Sequence, residues 1–200
     1  MNGTVPCMTK SGKFLSNDWR WAKLGDICKQ DRTIVEPQSE SSRGLPYLGL
    51  EDIESNTGRI LSRPDIRSSE SVQSTTFLFT PQHVLYGKLR PYLNKVAVPD
   101  FRGRCSTELI PLLPHVGISR NYLAWLLRRP VAIEAAMREK TGSRMPRADM
   151  QHVLSLQIPI PRSFELQEQL ADELKRQMDI IFNARQSIQE QLHLLDSLGL

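Results

Sequence analysis

From Arg162 to Leu198 the chain contains neither proline nor glycine, although 13 prolines and 11 glycines punctuate the sequence as a whole. Nothing in that stretch stops a helix, and Ser163 stands where an N-cap side chain is needed. The segment also carries heptads. Ala171, Met178, Arg185 and Leu192 form one column, and Leu174, Ile181, Ile188 and Leu195 form the second. A seam held over that many heptads calls for a partner helix. At ~1.5 Å per residue the helix spans on the order of 50 Å, too long to lie usefully against one small domain. Folding back onto its own body is the competing arrangement. Arg185 within the seam costs stability in an apolar core, and a polar residue there can fix register.

The remainder reads as one medium domain with an α+β fold. Residues 1 to 18 are polar and form a loose leader; 19 to 161 form the domain, and 162 to 198 the helix. A chain of 200 residues can bury a full core without disulfides or metal. Cys7, Cys28 and Cys105 have no CxxC spacing, and no N-terminal apolar run resembles a signal peptide or membrane span. A cytoplasmic protein with reduced thiols is expected.

Trp21, Leu24 and Ile27 are spaced for the apolar face of a short helix or turn. Leu45 to Ile53 is a strand candidate, followed by an Asn56-Thr57-Gly58 turn and a second extended piece at Arg59 to Leu61. Short strands continue at Phe77 to Phe79, Val84 to Leu89, Asn94 to Val98 and Thr107 to Leu113. Ser119 then caps a helix whose Tyr122, Leu123, Leu126 and Leu127 share one face. Pro130 ends it and opens the next, which runs to about Lys140 before Gly142 supplies a left-handed cap.

Charge is distributed unevenly. Residues 1 to 160 hold 22 Lys and Arg against 15 Asp and Glu, whereas 161 to 200 hold 4 against 7. Between 81 and 147 the balance is 12 basic to 4 acidic. A basic body with an acidic tail points to a nucleic-acid surface on the body. Its focus is Val84 to Lys95, VLYGKLRPYLNK. Here a half-buried strand leads through Gly87, which permits close backbone approach, to Lys88, Arg90 and Lys95 as phosphate contacts and Asn94 as a donor and acceptor for a base edge. Arg144 and Arg147 are expected on the same face, with Gly142 and Ser143 adding backbone and hydroxyl contacts. Arg128 and Arg129 read as solvated residues at a helix end.

Catalytic constellations are missing. His83, His115, His152 and His193 have no metal-ligand spacing and read as surface or satisfied core residues. There is no GxxxxGK loop and no GxGxxG turn. Asp100 and Glu108 lack the lysine that completes a nuclease carboxylate site, so Asp100 is a turn residue and Glu108 a structural acceptor. Ser106 and Ser143 have no His/Asp partners at a diagnostic spacing. The chain is expected to bind rather than react, with no metal and no cofactor.

In order along the chain come Trp21 with Leu24-Gly25-Asp26-Ile27, Leu45-Pro46-Tyr47-Leu48, Val84 to Lys95, Cys105-Ser106-Thr107-Glu108, Thr141-Gly142-Ser143, Ile158-Pro159-Ile160-Pro161, and Glu168-Gln169. In that order they resemble the specificity subunit of type I restriction-modification enzymes, over about Trp19 to Leu198. The resemblance implies a non-catalytic target-recognition domain that grips one half of a bipartite site in double-stranded DNA, followed by a helix that serves as spacer and docking post. It implies a methyltransferase (modification) subunit and a restriction subunit as partners. Members of the family usually carry two such units. This sequence has one, which is compatible with a half-subunit that dimerises through the helix, with half of a longer protein, or with an orphan fragment. The competing class is a coiled-coil scaffold that binds no nucleic acid.

Overall fold

The computed structural model describes residues 18–37, 39–61, 72–138 and 145–197, apart from the side chains of Ser41, His193 and Asp196. The leader expected at 1 to 18 therefore lies outside it except for Asp18. Among these residues the chain runs through Trp19–Lys23 (β1), Cys28–Gln30 (β2), Ile34–Val35 (β3), Tyr47–Leu48 (β4), Thr76–Phe79 (β5), Val84–Gly87 (β6), Val96–Ala97 (β7), Gly103–Ser106 (β8) and Leu109–Pro114 (β9). Helices Arg120–Arg128 (α1), Pro130–Met137 (α2) and Met150–Ser155 (α3) follow, then Gln157–Pro161 (β10) and the long helix Phe164–Ser197 (α4).

The most apolar runs pair with one another. One antiparallel sheet has the order β2-β9-β6-β7; a mixed sheet has the order β3-β5-β8-β4, with β4 and β8 parallel. All four residues of β6 are buried. Helix α1 and strand β5 both pack against this sheet, and its central strands are apolar and buried instead of alternating, β6 throughout and β9 over its first four residues, whereas the edge strand β2 carries Lys29 and Gln30. Helix α1 supplies its layer through the expected face: Tyr122, Leu123, Leu126 and Leu127 are all buried, and the Ser119 hydroxyl accepts the Tyr122 N–H at 3.0 Å. Each such large side chain contributes ~1.5–3 kcal/mol by leaving water. The result is an α+β fold with a long C-terminal helix.

Several local expectations give way to tertiary pairing. The short turn expected around Leu24 and Ile27 is present as a 3-10 helix at Leu24–Asp26 with both residues buried, but Trp21 does not share its face: Trp19–Lys23 is a strand that pairs antiparallel with β10, Trp21 opposite Pro159, and Trp21 is 51% exposed. The prolines of β10 are tolerated because this two-stranded sheet leaves the other edge of β10 unpaired, while Ile158 and Ile160 turn into the core. The strand expected over Thr107 to Leu113 begins only at Leu109. Ser106 Oγ accepts the Glu108 N–H at 3.2 Å, turning a two-residue corner where the chain leaves the mixed sheet as β8 and enters the other as β9. Leu45 to Ile53 reduces to β4 and a 3-10 turn at Leu50–Asp52, and Arg59 to Leu61 reduces to a bridge between Ile53 and Ile60. Helix α2 ends at Met137; the cap expected at Gly142 lies outside the described residues.

Helix α4 begins as read, with Ser163 Oγ accepting the Leu166 N–H at 3.2 Å. Its first turns belong to the body. Ala171, expected in the seam, is buried against the core, and the Arg59 guanidinium lies 4.3 Å over the ring of Phe182. From Phe164 to Phe182 is about 27 Å of helix, so roughly 22 Å continues to Ser197. Along the seam Leu174 is half-buried, Arg185 is exposed, and Met178, Ile181, Ile188, Leu192 and Leu195 are 39–56% exposed. Large apolar residues thus stay exposed at heptad spacing along the part of the helix beyond the body.

Candidate nucleic-acid interface

The basic loop after β6 is shaped by main-chain bonds before any side chain is considered. Gly87 N donates to Lys95 O at 2.8 Å, and a Cβ on Gly87 would lie 3.0 Å from both Lys95 O and the Leu50 side chain, so a larger residue would have to push these neighbours back. Beyond it, Arg90 (φ 52°, ψ 64°) and Asn94 (φ 51°, ψ 49°) are left-handed and bracket a 3-10 turn at Pro91–Leu93. Two non-glycine residues in that region cost ~1–2 kcal/mol each and persist only where the surroundings over-determine them. Here the surroundings do so. Lys88 N donates to Glu108 O at 2.9 Å, Ala148 N to Lys88 O at 2.7 Å, and Arg90 N to Pro146 O at 2.7 Å, while Asn56 N reaches Leu93 O and Asn94 O at 3.3 and 3.2 Å. Leu89 and Arg147 form a bridge.

The loop that follows β6 and the segment that precedes α3 are thereby one composite edge. Lys88, Arg90 and Arg147, separated in sequence by up to 59 positions, are brought together on it. Arg90 is exposed, and its guanidinium makes no hydrogen bond or ion pair among the described residues. Tyr92 and Met145 are exposed beside it. Glu108 sits between the other two cations: Arg147 Nη2 is 3.0 Å from Oε1, and Lys88 Nζ is 3.8 Å from Oε2. The bond to Glu108 raises the Arg147 pKa.

Asn94 and Lys95 are placed differently. The Asn94 amide donates to Arg128 O at 3.1 Å, and the Lys95 ammonium to Leu50 O at 2.8 Å, so both polar heads point inward and hold the loop to its neighbours. Gly142, Ser143 and Arg144 lie outside the described residues. Arg128 is no solvated helix-end residue. Its Nε and Nη2 donate to Val96 O at 3.1 and 2.5 Å, and burial pushes its pKa down to about 10. Arg129 stacks over Trp125, 5.3 Å from the ring centroid.

Two functional features escape local reading. Glu108 reads as a structural acceptor, but no spacing pairs it with an arginine 39 residues away. Gln167, one position before the Glu168-Gln169 pair, joins α4 to the body. It is 1% exposed, donates to Gly117 O at 3.1 Å and Pro161 O at 3.0 Å, and accepts the Ser119 N–H at 2.9 Å. Glu168 adds bonds to Ser119 Oγ and to Asn121 Nδ2. A helix start in which Glu165, Gln167, Glu168 and Gln169 are all polar carries no signal of which residue will face inward.

His83 is a satisfied core histidine: Nδ1 accepts the Thr80 N–H at 3.1 Å, and Nε2 is 3.3 Å from Asp31. Among the described residues no group of three or more His, Cys, Asp or Glu side chains is arranged to hold a metal ion. No helix among them is long and apolar enough to cross a membrane.

The profile of the type I restriction modification DNA specificity domain matches residues 16–193. The chain is similar to the type I restriction enzyme EcoDI specificity subunit of Escherichia coli, 24% identical over 180 residues, which cover 90% of this chain and 38% of that one. Its fold is similar to the HsdS subunit of Thermoanaerobacter tengcongensis, with a TM-score of 0.71 at 21% identity over 92% of this chain and 48% of that one. A chain from a solved type I R-M system also has a TM-score of 0.71, at 21% identity over 90% and 47%. The chain thus spans 38% of the curated relative and about half of the solved chains. The profile match runs from before β1 almost to the end of α4, and on that match the chain belongs to the type I restriction modification DNA specificity domain family.

Proposed function

We propose that this chain is the sequence-recognising part of a type I restriction-modification system, gripping one half of a bipartite site in double-stranded DNA. The observation that carries the reading is the composite basic edge, on which main-chain bonds hold Lys88, Arg90 and Arg147 at fixed mutual positions. Fixed cations set the register of a protein on the phosphate backbone, which is the precondition for reading base edges. Lys88, Arg90 and Arg147 form the described part of the proposed DNA face, with Arg90 its most available cation; Gly142, Ser143 and Arg144 would extend it, while Asn94 and Lys95 hold the loop from behind. In this reading the domain, 19 to 161, recognises DNA and does no chemistry, and the methyltransferase and restriction subunits act where it directs them.

Helix α4, in the same reading, is both spacer and docking post. Its exposed seam pairs antiparallel with the helix of a second recognition half, either another copy or an equivalent unit, placing one domain at each end. With the helix on the order of 50 Å long and base pairs stacked ~3.4 Å apart, the half-sites lie roughly one to one and a half DNA turns apart. In a homodimer the half-sites would be inverted repeats.

A salt titration of duplex binding tests the reading. Binding is expected to fall steeply with salt, and Arg90→Ala to flatten the slope of log K against log salt by about one unit, the loss of one phosphate contact. Binding that is absent or insensitive to salt would favour the coiled-coil scaffold. An unchanged slope in Arg90→Ala would remove the basic edge from the DNA face.

A further inference from the structure

Glu108 stands out on the composite edge because it is an anion placed among the cations proposed to meet phosphate. It occupies the corner between β8 and β9, and its own main chain accepts the Lys88 N–H at 2.9 Å, so its position does not depend on its charge. The carboxylate contacts Arg147 through both Nε, at 3.2 Å, and Nη2, at 3.0 Å, and stands 3.8 Å from Lys88 Nζ. Arg147 is 58% exposed, whereas Glu108 is only 22% exposed. The arginine therefore has a free approach from solvent, and the carboxylate lies behind it.

A pair this exposed is held weakly. An incoming phosphate offers Arg147 the same bidentate geometry that the carboxylate does. Both anions cannot hold the same guanidinium edge, and a phosphate that takes it leaves the tethered Glu108 carboxylate as a like charge beside it. We propose that Glu108 is an internal competitor for phosphate, occupying Arg147 and Lys88 in the free chain, so that DNA must displace it and duplexes lacking the target sequence are held weakly. This rests on the DNA-binding reading and adds to it a residue that sets the margin between target and non-target DNA. The proper target brings base contacts that offset the exchange, and other sequences do not.

The test is binding of a mixed-sequence duplex to wild type, Glu108→Gln, Arg147→Ala and the double variant, over a range of salt. Glutamine keeps the size of the side chain and the main-chain bond but removes the charge. Glu108→Gln is expected to tighten mixed-sequence binding about 3–10-fold and to steepen the salt slope by up to about one unit. The gain should vanish when Arg147→Ala is also present. A second readout needs no variant: the Arg147 Nε–H resonance of the wild-type chain should shift when duplex is added, as the guanidinium leaves Glu108. Unchanged or weaker binding by Glu108→Gln, or an Arg147 resonance that stays in place while DNA binds, overturns the competition while leaving the DNA reading intact. Absence of salt-dependent binding by the wild type removes both.

Discussion

Replacing Gln167 by leucine is expected to destabilise the chain by about 3–5 kcal/mol and to loosen α4 from the body. The glutamine amide answers three main-chain groups at once, Gly117 O, Pro161 O and Ser119 N, in a place where the residue is 1% exposed. Leucine matches its bulk and can answer none of them. Gly117 is exposed and its carbonyl can turn to water, but Ser119 N and Pro161 O belong to buried residues, and each left without a partner costs ~1–3 kcal/mol, at the junction of β10, α1 and α4. Urea denaturation of the variant measures the first effect. Spin labels on the exposed seam, at Ile181 and Ile188, measure the second against a label on α1. A loss below about 1 kcal/mol would mean that water reaches these groups and that Gln167 does not join the helix to the domain.

Gly58→Ala is expected to cost roughly 2–5 kcal/mol, from ~1–2 for an alanine in the left-handed region and ~1–3 for overpacking. Gly58 has φ 70°, and a Cβ there would lie 1.7 Å from Val96 O and 2.3 Å from Arg128 Nη2. Val96 O also accepts both Arg128 bonds, so the intruding methyl group would break the attachment of β7 to α1. The same turn donates from Asn56 N to the carbonyls of Leu93 and Asn94, the end of the basic loop. A displaced turn should therefore weaken DNA binding as well as stability. Thermal unfolding, at ~2–4 °C per kcal/mol for a chain of this length, is the direct measurement. A melting temperature within about 2 °C of the wild type would show that β7 yields without strain.

What was legible in the sequence was local. Ser119, Pro130 and Ser163 announced their helices because capping and proline act within one turn of the residue itself. The absence of proline and glycine from Arg162 to Leu198 announced α4, since propensity sums along a contiguous stretch. The strands at Phe77 and Val84 were visible as short apolar runs between turn residues. The basic loop was visible as well, through the crowding of Lys88, Arg90 and Lys95 around Gly87 and Pro91.

Partners distant in the chain were decided by the tertiary structure alone. Trp21 has helical spacing to Leu24 and Ile27, yet pairing with β10 makes its segment a strand, because main-chain bonds to Ile158 and its neighbours outweigh a weak local preference. Asn94 and Lys95 look as available for DNA as Arg90 does. Only the positions of Arg128 O and Leu50 O turn their polar heads inward while Arg90 stays outside. Glu108 and Arg147 meet across 39 residues because the chain changes sheets at Glu108 and returns beside Leu89 at Arg147. The sequence by itself determined which segments are helical, apolar or basic, since those properties are set by each residue and its nearest neighbours. Which cations face solvent, which are held by a carboxylate and which support the backbone was decided by contacts between distant segments, whose geometry exists only once the sheets have paired.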